Sequence, residues 1–190
     1  HWISLDIIAY LRLVSGTGNT RANWLRIMNR PNRYIKREAL APFTSDISVA
    51  QLKAYYQDKD WMLERLDRLE YDLSIMKRMS PYAAIHYLSN AMKYQDYLKD
   101  YAKEHHINEQ ELLDVLNAVH ESSQSCRTFA EWFTYIDTYT DELQKQAKSP
   151  ASKDANNESG VCLCTLHCAK GLEYPIVFIP DINEDNIPHA

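Results

Sequence analysis

The sequence predicts a mostly α-helical bundle that is followed by a short two-strand C-terminal piece of an α/β domain. The chain of 190 residues contains only four glycines, which favours helices joined by short connections over a sheet with glycine-rich turns. Apolar residues recur at helical spacing through most of the chain. Near the C-terminus this spacing gives way to two short apolar runs that are typical of β-strands, Val161 to Thr165 and Ile176 to Ile179.

Composition and charge limit the function classes. Apolar residues make up 45% of the chain and charged residues 25%, which is enough for a buried core in one or two domains. The formal net charge of -5 argues against a surface that is basic throughout, so nucleic-acid binding would need a local basic cluster. No membrane span or signal segment is recognisable, and we expect a cytoplasmic protein. The start at His1 without a methionine suggests a piece of a longer protein.

Four helices are predicted in the first part of the chain from apolar spacing and end signals. The first ends at a turn cluster that begins with Ser15, and the second ends before Pro31, which cannot continue a helix. In the fourth, apolar side chains alternate at spacings of four and three, which places them on a single stripe. The predicted ranges are Ser4 to Val14, Arg21 to Asn29, Ser48 to Tyr56 and Asp60 to Met79.

Four further helices are predicted before the C-terminal runs. Ser80 is expected to cap the next helix with Pro81 as its first residue, and Thr128 with Glu131 forms a capping-box pattern. The last helix carries one apolar stripe, which predicts a core helix of the bundle. The ranges are Pro81 to Met92, Tyr94 to His105, Asn108 to His120 and a helix that begins at Thr128. The stripe consists of Phe129, Trp132, Ile136, Tyr139 and Leu143.

Two polar features after the helices have simple interpretations. Residues 148–160 lack apolar periodicity and are predicted to form a flexible surface loop. Beyond this loop, the sequence offers side chains of the types that bind zinc, namely Cys162, Cys164, His167 and Cys168. The usual Cys-x-x-Cys half-sites are missing, and cysteine also behaves as a small buried hydrophobe. We therefore predict no metal site.

The glycine-rich stretch Gly16 to Thr20 is predicted to be a structural turn. It lacks the lysine of a phosphate-binding loop and follows a helix rather than a strand. No other stretch has the pattern of a Walker A loop or of an acidic Walker B strand, and phosphoryl transfer from ATP needs both. We therefore predict no catalytic residue in this chain and no ATP hydrolysis by the chain alone.

The most specific pattern is T-L-H-C-A-K-G-L-E-Y at residues 165–174, preceded by V-C-L-C and followed by P-I-V-F-I. It resembles motif V of the UvrD/Rep/PcrA-type superfamily 1 DNA helicases. Two further segments support the same resemblance. Asp6 to Leu13, D-I-I-A-Y-L-R-L, resembles the helix that leads into the inserted 2B subdomain, and Leu25 to Arg33, L-R-I-M-N-R-P-N-R, resembles the segment just inside it. The resemblance spans the whole chain.

The resemblance implies a domain organisation and an activity. Residues 1–15 would lead from motor domain 2A into 2B, residues 16–147 would form the helical 2B subdomain, and residues 161–190 would return to the RecA-like 2A domain with motif V. The parent protein would be an ATP-dependent DNA helicase that translocates on single-stranded DNA, 3′ to 5′, with ATP and Mg²⁺ bound between two motor domains. We expect no cofactor to be bound by this piece alone.

The resemblance also implies roles for individual residues. In the family, the motif V threonine and histidine lie beside the single-stranded DNA backbone and the glutamate beside the ATP ribose. Thr165 and His167 would therefore contact DNA, and Glu173 the nucleotide. Gly171 would permit close backbone approach, and Lys170 could add a positive charge. We count both with the nucleotide-binding residues.

A basic cluster near the start is the best candidate for a second DNA contact. Five cations fall within a dozen positions, namely Arg26, Arg30, Arg33, Lys36 and Arg37. The bland alternative is that these side chains are solvated charges that brace the bundle. In the family, this part of 2B approaches duplex DNA through a Gly-Ile-Gly turn. Tyr34-Ile35-Lys36 stands at that place here.

The expected partners are single-stranded and duplex DNA, and repair proteins that would bind through 2B. The two apolar runs could also pair with a second copy of this piece. Two other functions stay open from the sequence. The chain could belong to an AddA/RecB-type helicase-nuclease, whose motor domains share these motifs, or it could be a free-standing helical protein-interaction module.

Overall fold

The computed structural model describes residues 1–18, 20–148, 161, 163–165 and 168–179. Within these residues the chain forms eight α-helices and one 3₁₀ helix. The α-helices are α1 (Trp2–Ser15), α2 (Thr20–Ile27), α3 (Val49–Tyr55), α4 (Asp60–Met76), α5 (Pro81–Asn90), α6 (Tyr94–His105), α7 (Glu109–Ser122) and α8 (Phe129–Lys148), and the 3₁₀ helix spans Arg37–Leu40. The predicted helices are therefore present, with ends shifted by a few residues.

Helix α1 is the centre of the bundle. It packs against α2, α4, α5 and α7, and its buried side chains include Ile7, Tyr10 and Leu11, each with no exposed surface. A helix that is in contact on several sides must be apolar on more than one face, and α1 is the most apolar of these helices. It ends at Gly16, whose φ of 71° is the left-handed conformation that glycine favours. The predicted turn is present there.

Helix ends are fixed by local side-chain hydrogen bonds. The Ser48 hydroxyl accepts from the Gln51 amide N–H, while the Gln51 side chain accepts from the Ser48 N–H, which completes a capping box before α3. The Ser80 hydroxyl accepts from the Ala83 N–H at 3.3 Å, and Pro81 is the first residue of α5. These caps satisfy amide groups that have no partner inside the helix.

Helix α8 corrects the prediction of a continuous core stripe. Trp132 is fully buried, and its indole N–H donates to the Ser122 hydroxyl at 3.1 Å. Further along the same stripe, Tyr139 is 51% exposed and Leu143 is 47% exposed. The stripe has the correct period, but only the first half of the helix has neighbouring helices to cover it. Periodicity therefore predicted the buried face and not how far it extends.

The predicted two-strand C-terminal piece is wrong, because the described residues contain no β-strand. Val161 is 89% exposed and Leu163 is 92% exposed in the first run, and Phe178 is 87% exposed in the second. A strand exists only when a neighbouring strand satisfies its backbone hydrogen bonds, and neither run has such a neighbour among the described residues. The two runs are apolar, but no strand that could pair with them is present among the described residues.

The chain divides into two compact units, residues 1–146 and residues 147–190. The first holds the helical bundle, and the second holds the described turn of the motif V-like pattern. No helix in the described part of the chain combines the length and apolar character that a membrane span requires.

Candidate functional site

The motif V-like pattern forms a compact turn that begins at Thr165. The Thr165 hydroxyl accepts a hydrogen bond from the Cys168 amide N–H at 3.2 Å, and the Thr165 carbonyl accepts from the Ala169 N–H at 3.0 Å. The Ala169 carbonyl in turn accepts from Leu172 at 2.9 Å. Such side-chain-to-backbone bonding favours local turns at threonine and requires no distant partner. The turn therefore forms although the two apolar runs around it have no sheet.

The turn exposes most of the residues that the sequence singled out. Lys170 and Glu173 are exposed, and Gly171 has a φ of 84°. A Cβ built at Gly171 would meet no atom within 4 Å, so the backbone conformation, and not space, favours glycine there. Lys170 and Glu173 are close in the chain to Thr165, and all three face solvent. His167 lies outside the described residues.

Two of the predicted DNA-binding cations bind a buried carboxylate. Arg26 Nη1 lies 3.2 Å from Asp6 Oδ1, and Arg30 Nη1 lies 2.9 Å from the same oxygen. The Asp6 side chain has no exposed surface, whereas the two arginine side chains keep 36% and 38% of theirs. A buried carboxylate is tolerated when it is paired and hydrogen-bonded. These arginines therefore brace α2 against α1, and a part of each still faces solvent.

Arg33 is also used within the bundle. Its guanidinium donates to the Tyr10 hydroxyl at 2.7 Å and to the Ile27 and Pro31 carbonyls at 3.1 and 3.2 Å. It lies over the Tyr10 ring as well, 5.6 Å from the centroid. Arginine suits this place because it offers several N–H donors in one plane. Arg26, Arg30 and Arg33 therefore all have partners within the bundle.

The remaining two cations differ from these three. Lys36 and Arg37 are exposed, and neither side chain forms an ion pair or a hydrogen bond with another described residue. Lys36 is held through its backbone: its N–H donates to the Tyr56 hydroxyl at 2.6 Å, and its carbonyl accepts from the Ala39 N–H at 3.1 Å. Tyr34, two residues earlier, has a φ of 61°, a conformation that usually favours glycine. The turn therefore has a glycine-like backbone conformation at a tyrosine.

Sequence reasoning missed the centre of this network. In the sequence, Asp6 stands out only as the first residue of the helicase-like segment from Asp6 to Leu13. In the structure it joins α1 to α2 through Arg26 and to α6 through Tyr94, whose hydroxyl donates to its second oxygen at 2.9 Å. Burial, with a further contribution from the Asp6 carboxylate, raises the pKa of Tyr94 far above its ordinary value, so Tyr94 remains a proton donor. The available signal was a lone acid between Ile3, Ile7 and Tyr10 on an otherwise apolar helix.

No group of metal-binding side chains is found in the described ranges. Cys164 and Cys168 are exposed free thiols there, whereas Cys162 and His167 lie outside the described residues.

Comparison with known proteins gives a consistent result. Residues 4–190 match the model of the UvrD-like helicase C-terminal domain. The ATP-dependent DNA helicase PcrA of Bacillus subtilis (strain 168) is 28% identical over 203 residues, which cover 97% of this chain and 26% of that protein. The putative ATP-dependent DNA helicase YjcD of the same strain is 24% identical over 190 residues, and PcrA of Staphylococcus epidermidis (strain ATCC 12228 / FDA PCI 1200) is 24% identical over 202 residues. Each alignment covers 97% of this chain, with 23% and 26% of the respective relatives.

The chain spans about a quarter of the length of the curated relatives that it matches. No solved structure matches it. The family match runs from α1 through the motif V-like turn and the residues that follow it, so it includes both units and confirms the resemblance to UvrD/PcrA-type helicases. This chain belongs to the UvrD-like helicase C-terminal domain family.

Proposed function

We propose that this chain is the 2B subdomain and the motif V segment of an ATP-dependent DNA helicase that translocates on single-stranded DNA. The observation that carries the proposal is the T-x-H-x-x-K-G-L-E pattern at residues 165–173, whose described residues, Thr165 and 168–173, include exposed Thr165, Lys170 and Glu173 on a backbone held by its own hydrogen bonds. The named relatives are DNA helicases, which supports the same activity for the parent protein. Residues 1–15 and 16–147 would then be the lead-in helix and 2B.

The proposed roles on this turn follow from side-chain chemistry. The Thr165 hydroxyl already accepts one hydrogen bond and still has a proton to donate to a phosphate oxygen. His167 would add a second donor to the DNA backbone. Glu173 would accept from a ribose hydroxyl of ATP, with Lys170 and Gly171 beside the nucleotide. ATP and Mg²⁺ would bind between the two motor domains of the parent protein, and this segment would belong to one of them, 2A.

Coupling between ATP and DNA would arise because one short turn touches both. The pattern is nine residues long, from 165 to 173. A change in nucleotide state that moves Glu173 would therefore also move Thr165 against the strand. The 2B bundle would regulate this cycle by contacting duplex DNA or repair proteins.

The motif V proposal is tested in the parent protein with Thr165→Ala, His167→Ala and Glu173→Ala. Hydrogen bonds to charged groups contribute about 1.5–3 kcal/mol, so loss of either DNA contact should slow unwinding by roughly ten-fold or more. Glu173→Ala should instead raise the ATP concentration needed for half-maximal hydrolysis. Glu104→Ala, on the exposed face of α6, is the matched control and should change neither quantity. Normal unwinding by His167→Ala would contradict the proposal.

The basic cluster is proposed to contact DNA mainly through Lys36 and Arg37, because they have no other partner among the described residues. Each phosphate contact contributes about 0.9 to the slope of log affinity against log salt concentration. Lys36→Gln and Arg37→Gln should therefore weaken DNA binding, lower that slope and leave the melting temperature unchanged. Arg30→Gln should lower the melting temperature because Asp6 loses a partner. If all three substitutions lowered DNA affinity equally and none changed the melting temperature, this division of roles would be contradicted.

A further inference from the structure

Two exposed aromatic rings and an arginine form a cluster near the start of α4. Tyr34 is 58% exposed and Trp61, in the first turn of α4, is 48% exposed. Their ring centroids are 6.5 Å apart at an angle of 76°. The Arg65 guanidinium lies 5.0 Å from the Tyr34 centroid and 5.3 Å from the Trp61 centroid, so one cation forms cation–π contacts with both rings. We call these three residues the ring cluster.

An open cavity of about 360 Å³ begins at Arg65, which lines it as well as holding the rings. Its lining includes two buried apolar side chains, Leu69 and Met92. Cations line its mouth. Arg65 and Arg68 are exposed one turn apart on α4, and the third exposed cation, Lys93 at the N-cap of α6, forms an ion pair with Asp96 at 3.5 Å. Arg65 forms no ion pair with any described residue.

The charge at this place is opposite to that of the chain. The cavity is lined by four cations, Arg33, Arg65, Arg68 and Lys93, against one carboxylate, Asp72, whereas the whole chain carries a formal net charge of -5. Asp72 is itself engaged, since it accepts from the Tyr87 hydroxyl at 2.9 Å and lies 3.7 Å from Arg68. Arg33 is also engaged, with Tyr10. Arg68 shares Asp72, and Lys93 lies 3.5 Å from Asp96, so the unpaired positive charge among the described lining residues is that of Arg65. This charge favours an anionic occupant.

We infer that the ring cluster stacks an unpaired base of a nucleic-acid strand, and that Arg65 and Arg68 hold the adjoining phosphate at the cavity mouth. A nucleotide joins a flat ring to a phosphate through one sugar, so it satisfies the rings and the cations together. An acidic peptide would satisfy only the cations. A base inside a duplex has both faces covered by its neighbours and cannot stack here. The site therefore distinguishes unpaired strands, frayed ends and flaps from continuous duplex.

This inference rests on the proposed function, because a protein that handles DNA strands is what would supply such an occupant. It differs from the motif V turn and from Lys36 and Arg37 in the residues used and in the chemistry, which is stacking. It also gives Tyr34 a role. Its glycine-like backbone conformation places an aromatic side chain in the ring cluster beside α4.

Intrinsic tryptophan fluorescence tests the inference directly on the 190-residue chain. Of the four tryptophans, Trp24 and Trp132 are buried, and Trp2 is half-buried against Tyr97 and Tyr101. A single-stranded oligothymidylate should quench the Trp61 emission, and the quenching should vanish in Trp61→Phe while most of the affinity remains. A closed circular duplex, which has neither ends nor loops, should not quench at the same phosphate concentration. A polyglutamate peptide should not quench either.

Affinity for the oligothymidylate, measured by its fluorescence anisotropy, supplies the second readout. Stacking and cation contacts of this kind change affinity by roughly ten-fold per base, so Arg65→Gln should weaken binding about that much. Arg65→Lys keeps the charge but not the planar group and should fall between Arg65→Gln and wild type. Lys103→Gln removes an exposed cation from α6 and is the matched control, with no expected change. The melting temperature of each variant confirms that it is folded.

The outcomes separate this inference from the proposed function. Binding of DNA without quenching at Trp61 overturns the stacking site and leaves the helicase proposal intact. Equal quenching by polyglutamate overturns it in favour of an acidic protein partner. Complete absence of DNA binding also overturns it, whereas the helicase proposal is decided by unwinding in the parent protein.

Discussion

The helical bundle and the described turn that begins at Thr165 differ in where their stabilising contacts come from. In the bundle, helices supply their own backbone hydrogen bonds and meet one another across a continuous apolar core around α1. In the C-terminal segment, the turn closes through Thr165, but the apolar runs on both sides stay exposed and unpaired among the described residues. Local bonding therefore suffices for helices and turns, whereas strands need partners that another part of the chain must provide.

The largest expected effect is a matched pair of leucine substitutions. Leu11 on α1 has no exposed surface, and Leu11→Ala should lower the free energy of unfolding by about 3–4 kcal/mol through lost burial and a cavity. Leu163 is 92% exposed, so Leu163→Ala should change it by less than about 0.5 kcal/mol. Urea denaturation followed by circular dichroism measures both. A comparable loss in the two variants would mean that the C-terminal run is part of the cooperative core.

The second effect comes from the buried carboxylate. Asp6→Ala leaves Arg26 and Arg30 without their acid and Tyr94 without its acceptor. Loss of one partner of a buried pair costs about 3–5 kcal/mol, and because both arginines keep over a third of their surface exposed we expect about 2–3 kcal/mol. Asp100→Ala, an exposed acid on α6, is the control and should have almost no effect. Equal stability of the two variants would show that the network carries no net stabilisation.

Much of the bundle could be predicted because its information is local. The spacing of Leu66, Leu69 and Met76 is sufficient to identify the buried face of α4, and Ser80-Pro81 is sufficient to identify the start of α5. How far burial extends along α8 could not be predicted, because that depends on which neighbouring helices reach Tyr139 and Leu143. A stripe reports a preferred face, and the rest of the fold determines whether that face is covered.

The residue types of the candidate sites could be predicted from the sequence, but which of these residues are already engaged inside the bundle could not. The basic cluster was visible in the sequence, and yet a single buried acid twenty or more residues away engages Arg26 and Arg30. The ring cluster could not be predicted from local sequence, because Tyr34 and Trp61 meet only where the segment between α2 and the 3₁₀ helix packs against α4. Charge counts and motif strings describe what is available, and tertiary contacts decide which of those groups remain free to bind.

A third prediction compares the same hydrogen bond in the two regions. The Ser80 hydroxyl accepts from the N–H three residues ahead, and the Thr165 hydroxyl does the same at nearly the same distance. Ser80→Ala should cost about 1 kcal/mol of global stability, because α5 is packed into the bundle. Thr165→Ala should leave the thermal transition unchanged and should increase only the local exchange rate of the Cys168 amide proton. A lower melting temperature in Thr165→Ala would break the distinction between the two regions.

The smallest effect concerns pH and lies at the edge of the bundle. His120 stacks on Tyr82 with ring centroids 3.9 Å apart, and its Nε2 lies 3.1 Å from the Tyr82 carbonyl oxygen. Burial lowers the pKa of His120, and the hydrogen bond with the Tyr82 carbonyl raises it by less; the nearby His86 lowers it further, and Glu121 raises it, so the net direction is downward. In the unfolded chain a histidine has a pKa of about 6.5. Between the lowered folded pKa and the unfolded pKa the folded state therefore binds fewer protons than the unfolded state, and stability falls as the pH falls through this window.

The measurement is the melting temperature of wild type and His120→Gln at neutral and mildly acidic pH. Because glutamine does not titrate, the variant should lose less stability on acidification than wild type, and the two should converge above about pH 7.5, where histidine is neutral in both states. His106→Gln is the control, since His106 is exposed at the end of α6. A steeper acid dependence in His120→Gln than in wild type would mean that protonated His120 stabilises the bundle, and the position of the imidazole against Tyr82 would then have to be reinterpreted as a charge-assisted contact to the carbonyl oxygen.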